Sequence, residues 1–67
     1  MEQPLSAREC EVLELIARGY GDREIAQTLG IKERTIRFHV GNILGKLNVK
    51  NRTEAAYYAF KRGWIND

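Results

Sequence analysis

Cysteine, histidine, proline and tryptophan occur only once each in these 67 residues. A lone cysteine excludes an internal disulfide, and one cysteine with one histidine cannot complete a tetrahedral zinc site. No apolar run approaches the roughly 18 residues of a membrane span, and no charged-then-apolar leader opens the chain. Strand-like alternation of useful length, repeats and low-complexity stretches are missing as well. So are paired carboxylates, a nucleophile with a base beside it and a phosphate-cradling loop in a suitable context. A chain this short buries only about 60% of the surface its unfolded form exposes, too little for a deep cleft between two lobes. No enzyme activity, cofactor or metal is expected. What remains is a small intracellular module, expected in the cytoplasm: one domain spanning residues 1–67, of globular composition with 43% hydrophobic and 30% charged residues.

The net charge of +2 conceals an uneven distribution. From Met1 to Ile31, three basic residues (Arg8, Arg18 and Arg23) face six acidic ones. From Lys32 to Arg52, six basic residues (Lys32, Arg34, Arg37, Lys46, Lys50 and Arg52) stand against Glu33 alone. A basic middle third in a nearly neutral chain points to one positive surface with an anionic partner; a merely solvated basic face is the alternative.

Helical periodicity, with start and stop punctuation, appears four times and predicts an all-α, four-helix domain. The first helix is expected over residues 7–18. Ser6 and Glu9 form a capping box, Leu5 and Cys10 a hydrophobic staple, and Gly19 the stop. Cys10 in such a slot reads as a small apolar side chain, with a redox or catalytic role as the alternative. The second helix, residues 22–29, turns Ile25, Ala26 and Leu29 inward, is capped by Gly21 or Asp22, and closes at Gly30. The third, residues 33–47, carries Ile36, Val40, Ile43, Leu44 and Leu47 at offsets 0, 4, 7, 8 and 11. The fourth, residues 52–62, has Asn51 as cap, Glu54 at the capping-box position and Gly63 as stop, with Trp64 and Ile65 able to fold back. Pro4, the only proline, precedes the first helix.

The second and third helices, of unequal length and joined by a tight glycine-containing turn, have the form of a helix-turn-helix, whose second helix enters the DNA major groove. Ala26 is small where they cross, Gly30 permits the turn, and Ile36 pins one to the other. Opposite its apolar stripe the third helix shows Arg34, Phe38, Gly41 and Gly45, with Arg37 on one shoulder and Thr35, His39, Asn42 and Lys46 on the other. Two glycines in a helix cost roughly 1 kcal/mol each relative to alanine, and a solvated face has no use for a phenylalanine. Both features fit a bulky object lying against this face. Arginine can bond guanine O6 and N7, phenylalanine can touch a thymine methyl, and the shoulder groups can hold phosphates. The alternative for Phe38 is a satellite core position beneath a loop. For His39 a phosphate or structural hydrogen bond is favoured over a metal.

The sequence closely resembles the LuxR/GerE-type domain. The likeness rests on Leu5-Ser6-Ala7-Arg8-Glu9, Glu11-Val12-Leu13, Ile16-Ala17, Gly19, Glu24-Ile25-Ala26, Leu29 and Ile31. It continues in register through Thr35-Ile36-Arg37, His39, Asn42-Ile43, Lys46-Leu47 and Arg52-Thr53-Glu54-Ala55. The resemblance implies a four-helix, DNA-binding transcriptional regulator domain, usually the C-terminal output half of a larger protein such as a NarL/FixJ response regulator or a quorum-sensing receptor. Its base-reading positions fall on Arg37, Phe38 and Gly41, with Arg34 as a further candidate. Lys32, Thr35, His39, Asn42, Lys46, Lys50 and Arg52 are candidates for the phosphate backbone, joined by amides near Asp22 and Arg23 at the start of the second helix. Gly21, Lys32, Gly41 and Gly45 depart from residues frequent in relatives, which implies altered DNA contacts on the same fold.

On the fourth helix Ala55, Tyr58 and Ala59 can face the core, leaving Thr53, Ala56, Tyr57 and Phe60 on an outward stripe. In resembling proteins this helix is the homodimer contact; the alternative is that the aromatics finish a small core. The expected partners are therefore double-stranded DNA, a second copy held weakly through the fourth helix, a covalently linked receiver or ligand-binding domain, and RNA polymerase. A degenerate helix-turn-helix that binds only protein, through Tyr57, Phe60 and Phe38, is the competing function.

Overall fold

Ser6 sets the first helix. Its hydroxyl accepts the Glu9 amide at 3.1 Å while the Glu9 carboxylate accepts the Ser6 amide at 3.0 Å, so two amides that a helix start leaves unpaired are satisfied together. A computed structural model describes residues 5–65; Pro4 lies outside them. Four helices follow in order: α1 Ala7–Ala17, α2 Asp22–Leu29, α3 Glu33–Leu47 and α4 Arg52–Lys61. No strand occurs among the described residues.

Two ends fall one residue short of the sequence expectation. Arg18 and Arg62 are caps rather than helical residues. Arg18 shares its amide between the carbonyls of Glu14 and Leu15, each at 3.1 Å, which tightens the last turn before Gly19. Asn51 caps α4 as expected, accepting the Glu54 amide at 2.9 Å. The Glu54 carboxylate, however, takes the Lys50 amide rather than that of Asn51. Gly21, lacking a side chain, supplies no cap of its own to α2, and only the Glu24 carboxylate closes that start, at 2.8 Å from the Gly21 amide.

Leu5, Val12, Leu13, Ile16, Ile25, Ala26, Ile36, Ile43, Leu47, Ala55 and Ala59 form one core to which all four helices contribute. Ile36 and Ile25 are fully buried where α2 meets α3, and Ala26 keeps the two helices close. The turn between them requires a backbone few side chains accept: Gly30 sits at φ +71°, and the Gly30 and Ile31 amides both return to the Ala26 carbonyl, at 2.9 and 3.1 Å. At the far end of α3 the same left-handed stop is made by Asn48, φ +58°, a residue type that tolerates it. The short turn after α2 and the pinned crossing fix α3 to α2, while α1 and α4 support it from behind. Trp64 folds back through its amide to the Ala59 carbonyl and meets Tyr58 edge-on at 5.6 Å.

Candidate nucleic-acid interface

The periodicity that buries Ile36, Ile43 and Leu47 obliges the opposite side of α3 to face outward. Arg34, Arg37, Phe38, Gly41 and Gly45 are all exposed there, and Phe38 is 66% exposed, which sets aside a place beneath a loop. Among the described residues the ring has no aromatic neighbour but His39, with centroids 6.1 Å apart. A Cβ built at Gly41 or Gly45 would meet nothing within 4 Å, so neither glycine answers a packing demand inside the protein. The shoulder residues Thr35, His39 and Asn42 are half-buried and Lys46 is exposed, as alternation around the helix requires. Nδ1 of His39 is buried and has no hydrogen-bond partner among the described residues.

The cations that the sequence offers as DNA contacts divide into two sets. Among the described residues, the side chains of Arg23, Lys32, Arg34 and Lys50 have no ion-pair partner. Three others are engaged. Arg37 lies 3.5 Å from Glu33, an i,i+4 pair exposed at both ends. Lys46 reaches across to the buried Glu9 at 2.8 Å. Arg52 donates to Asp22 at 2.6 Å and to the Tyr20 carbonyl at 3.1 Å, tying the start of α4 to the start of α2. The Glu33–Arg37 pair is visible as spacing in the sequence. The other two join residues 37 and 30 positions apart, and no local pattern announces them.

Among the described residues Glu9 is the one buried charged side chain, 5% exposed. The Lys46 ammonium, and after it the Ser6 amide, hold its carboxyl below the usual carboxylate value against the upward pull of burial. Burial and the neighbouring Glu9 carboxylate push the Cys10 thiol the other way, upward, so its nucleophilic thiolate form is disfavoured. Among the described residues no group of three or more His, Cys, Asp or Glu side chains could hold a metal ion. No helix there is long and apolar enough to cross a membrane.

This arrangement of a short helix, a left-handed glycine turn and an outward basic helix agrees with a known family. The model for "Bacterial regulatory proteins, luxR family" matches residues 3–59. This chain belongs to that family. The luxR family is one of transcription regulators built on a helix-turn-helix, not an enzyme family. The transcription factor GerE has a similar structure, with a TM-score of 0.88, 32% identity and 97% of each chain covered. The "Transcriptional regulatory protein DegU" of Brevibacillus brevis is 49% identical over 61 residues, 91% of this chain and 26% of its own length. The "Transcriptional regulatory protein DesR" of Bacillus subtilis is 52% identical over 62 residues, 92% and 31% of the two lengths. The "Response regulator protein VraR" of Staphylococcus aureus is 49% identical over 61 residues, 91% and 29%. The chain thus spans between a quarter and a third of these curated relatives.

On a second luxR-domain surface, α4 presents Thr53, Tyr57 and Phe60 exposed and Ala56 half-buried, with Tyr57 and Phe60 each 63% exposed. These aromatics do not complete the core; Ala55 and Ala59, fully buried, do that. Lys61 lies over the Tyr57 ring at 5.8 Å and Arg62 over Tyr58 at 4.6 Å. Beside the stripe, Ile16, Gly19, Tyr20, Arg52, Thr53 and Ala56 line a shallow groove of about 360 Å³.

Proposed function

We propose that this domain binds double-stranded DNA sequence-specifically, with α3 lying in the major groove, as the output part of a bacterial transcription regulator acting in the cytoplasm. The observation that carries this reading is the outward face of α3: it is open, basic and centred on an exposed Phe38, while Ile36 locks the helix to α2 behind it. Arg37 and Phe38 read base edges, Arg34 contributes a further contact, and Gly41 lets a base edge approach the main chain. Lys32, Thr35, His39, Asn42 and Lys50 hold phosphates, and Arg23 does so with the amides that open α2. Lys46 and Arg52 join them, each reaching a phosphate only while sharing its charge with Glu9 or Asp22. Two copies meet weakly through Thr53, Ala56, Tyr57 and Phe60, placing two α3 helices over half-sites about one helical turn apart. A receiver or ligand-binding domain supplies the signal in the longer protein, and RNA polymerase is the downstream partner.

Selecting binding sites from a random duplex pool, at stated salt, tests this. A defined consensus should emerge, with affinity falling steeply with salt at a slope near −0.9 per neutralised phosphate. Arg37→Ala should cost about 1–3 kcal/mol on the selected site and relax base preference at one position. Unchanged affinities for selected and random duplexes would remove Arg37 from its role. Absence of a mobility shift with every duplex would leave a module that binds protein through Tyr57 and Phe60.

A further inference from the structure

Phe38 is unexplained by anything inside the protein. Its neighbours one turn away on α3 are Arg34 and Thr35 on one side and Gly41 and Asn42 on the other, so no large apolar side chain of its own helix shelters the ring. At 66% exposure it adds nothing to the core, whose α3 members are Ile36, Ile43 and Leu47. An apolar ring in the middle of a basic face needs an apolar group carried by an anionic partner. The charge of the face selects nucleic acid, and the major-groove edge of a duplex offers one such group, the methyl on pyrimidine C5. Thymine carries it, and 5-methylcytosine carries it at the same ring position, while uracil and cytosine lack it.

The geometry points to Phe38 as a sensor of the pyrimidine C5 methyl group. This rests on the DNA-binding reading above and deepens it: the domain distinguishes methylated from unmethylated pyrimidines at the base pair under Phe38, whatever that pyrimidine's hydrogen-bonding groups. Its neighbour Arg37, pointing about 100° away around the helix, reads the adjoining pair through hydrogen bonds. Gly41 presents no side chain to compete for the space beside the ring, so a base edge can slide against it.

The test uses the 67-residue chain and its selected duplex, with each pyrimidine in turn made thymine, deoxyuridine, cytosine or 5-methylcytosine. At one position thymine should bind about fourfold more tightly than deoxyuridine, and 5-methylcytosine about fourfold more tightly than cytosine, the fold-change that burial of one methyl group corresponds to. Phe38→Ala should bring both ratios close to one, while Phe38→Leu, still apolar, should keep part of them. Circular dichroism on each variant confirms that the helices are intact, which the exposure of Phe38 leads one to expect. Ratios of one at every pyrimidine, or ratios that survive Phe38→Ala, overturn the assignment. If those ratios are one while Arg37→Ala still relaxes base preference, the methyl sensor fails and DNA recognition stands. If no duplex is selected at all, both fall together.

Discussion

The ammonium nitrogen of Lys46, in the last turn of α3, lies 2.8 Å from Oε1 of Glu9, in the first turn of α1. The same carboxylate oxygen accepts the Ser6 amide at 3.0 Å, so one buried oxygen closes the start of one helix and anchors the end of another. Glu9 is buried while the Lys46 side chain is 43% exposed, so the pair is half in solvent and its strength is that of a charge-assisted hydrogen bond rather than of a dry ion pair.

The pair makes stability depend on acid. The carboxyl of Glu9 is held below its ordinary value of 4.5 in the folded domain, first by Lys46 and then by the Ser6 amide. Its contribution is complete above that ordinary value and is lost as pH falls through the lower folded value. Denaturant unfolding should therefore show stability dropping below about pH 4.5. Glu9→Gln should cost about 1–2 kcal/mol at pH 7 and flatten the acid limb. An unchanged acid limb in the variant would assign it to other carboxylates.

Arg52 sits in the basic segment and reads from the sequence as a phosphate contact, yet it donates to Asp22 and to the Tyr20 carbonyl. Arg52→Ala should lower the unfolding free energy by about 1–2 kcal/mol with no DNA present, because Asp22 and the carbonyl lose their donor. Arg52→Lys should rescue this only in part, since one ammonium cannot reproduce the two-pronged contact. A variant of unaltered stability whose salt slope alone is reduced would make Arg52 a phosphate residue and nothing more.

Glu33 is the only acid between Lys32 and Arg52, and it holds Arg37 at 3.5 Å. Glu33→Gln releases Arg37 and removes a negative charge from beside it. Affinity should rise by about 0.5–1 kcal/mol for selected and random duplexes alike, most at low salt. Stability should fall by about 0.3–1 kcal/mol, because an acid at the first turn of a helix favours its positive end. Titrations at two salt concentrations, paired with thermal unfolding, read both changes.

What was legible in the sequence was local. Ser6 with Glu9 announced one helix start and Asn51 another, Gly30 announced the turn, and the spacing of Ile36, Ile43 and Leu47 fixed which face of α3 is outward. Each signal lies within one or two helical turns of its partner. The partners of Lys46 and Arg52 were not legible, because only the packing of α1 and α2 against the rest brings Glu9 and Asp22 to them. Charge segregation along the chain could not show which of its cations are engaged internally, as Arg37, Lys46 and Arg52 are. Asn48, the left-handed stop of α3, carries no distinctive sequence signal, since asparagine also serves many ordinary turns.

Tyr57 and Phe60 are exposed on a helix whose inward side is already closed by Ala55 and Ala59. Sedimentation should find the domain monomeric alone and paired on a duplex with two half-sites about 10 base pairs apart. Tyr57→Ser with Phe60→Ser should leave the fold intact, leave single half-site binding unchanged and abolish the cooperative second binding step. A wild-type chain that stays monomeric on the two-site duplex removes the pairing role from α4.

Gly41 and Gly45 separate stability from binding most cleanly. Neither has a positive φ, unlike Gly30, and neither would bring a Cβ within 4 Å of another group. Alanine at each should therefore stabilise the free domain by about 0.5–1 kcal/mol through helix propensity alone. For a chain of this size that is a rise of about 2–8 °C in unfolding midpoint. Gly30→Ala should do the opposite, because its left-handed backbone resists a side chain. If the duplex rests against this face of α3, the same two methyl groups stand between main chain and base edges, and Gly41→Ala should weaken binding to the selected site as it raises the melting temperature. Gains in both stability and affinity would mean that the helix meets DNA only through its first turns, around Arg34 and Arg37, and that its glycines serve no close approach.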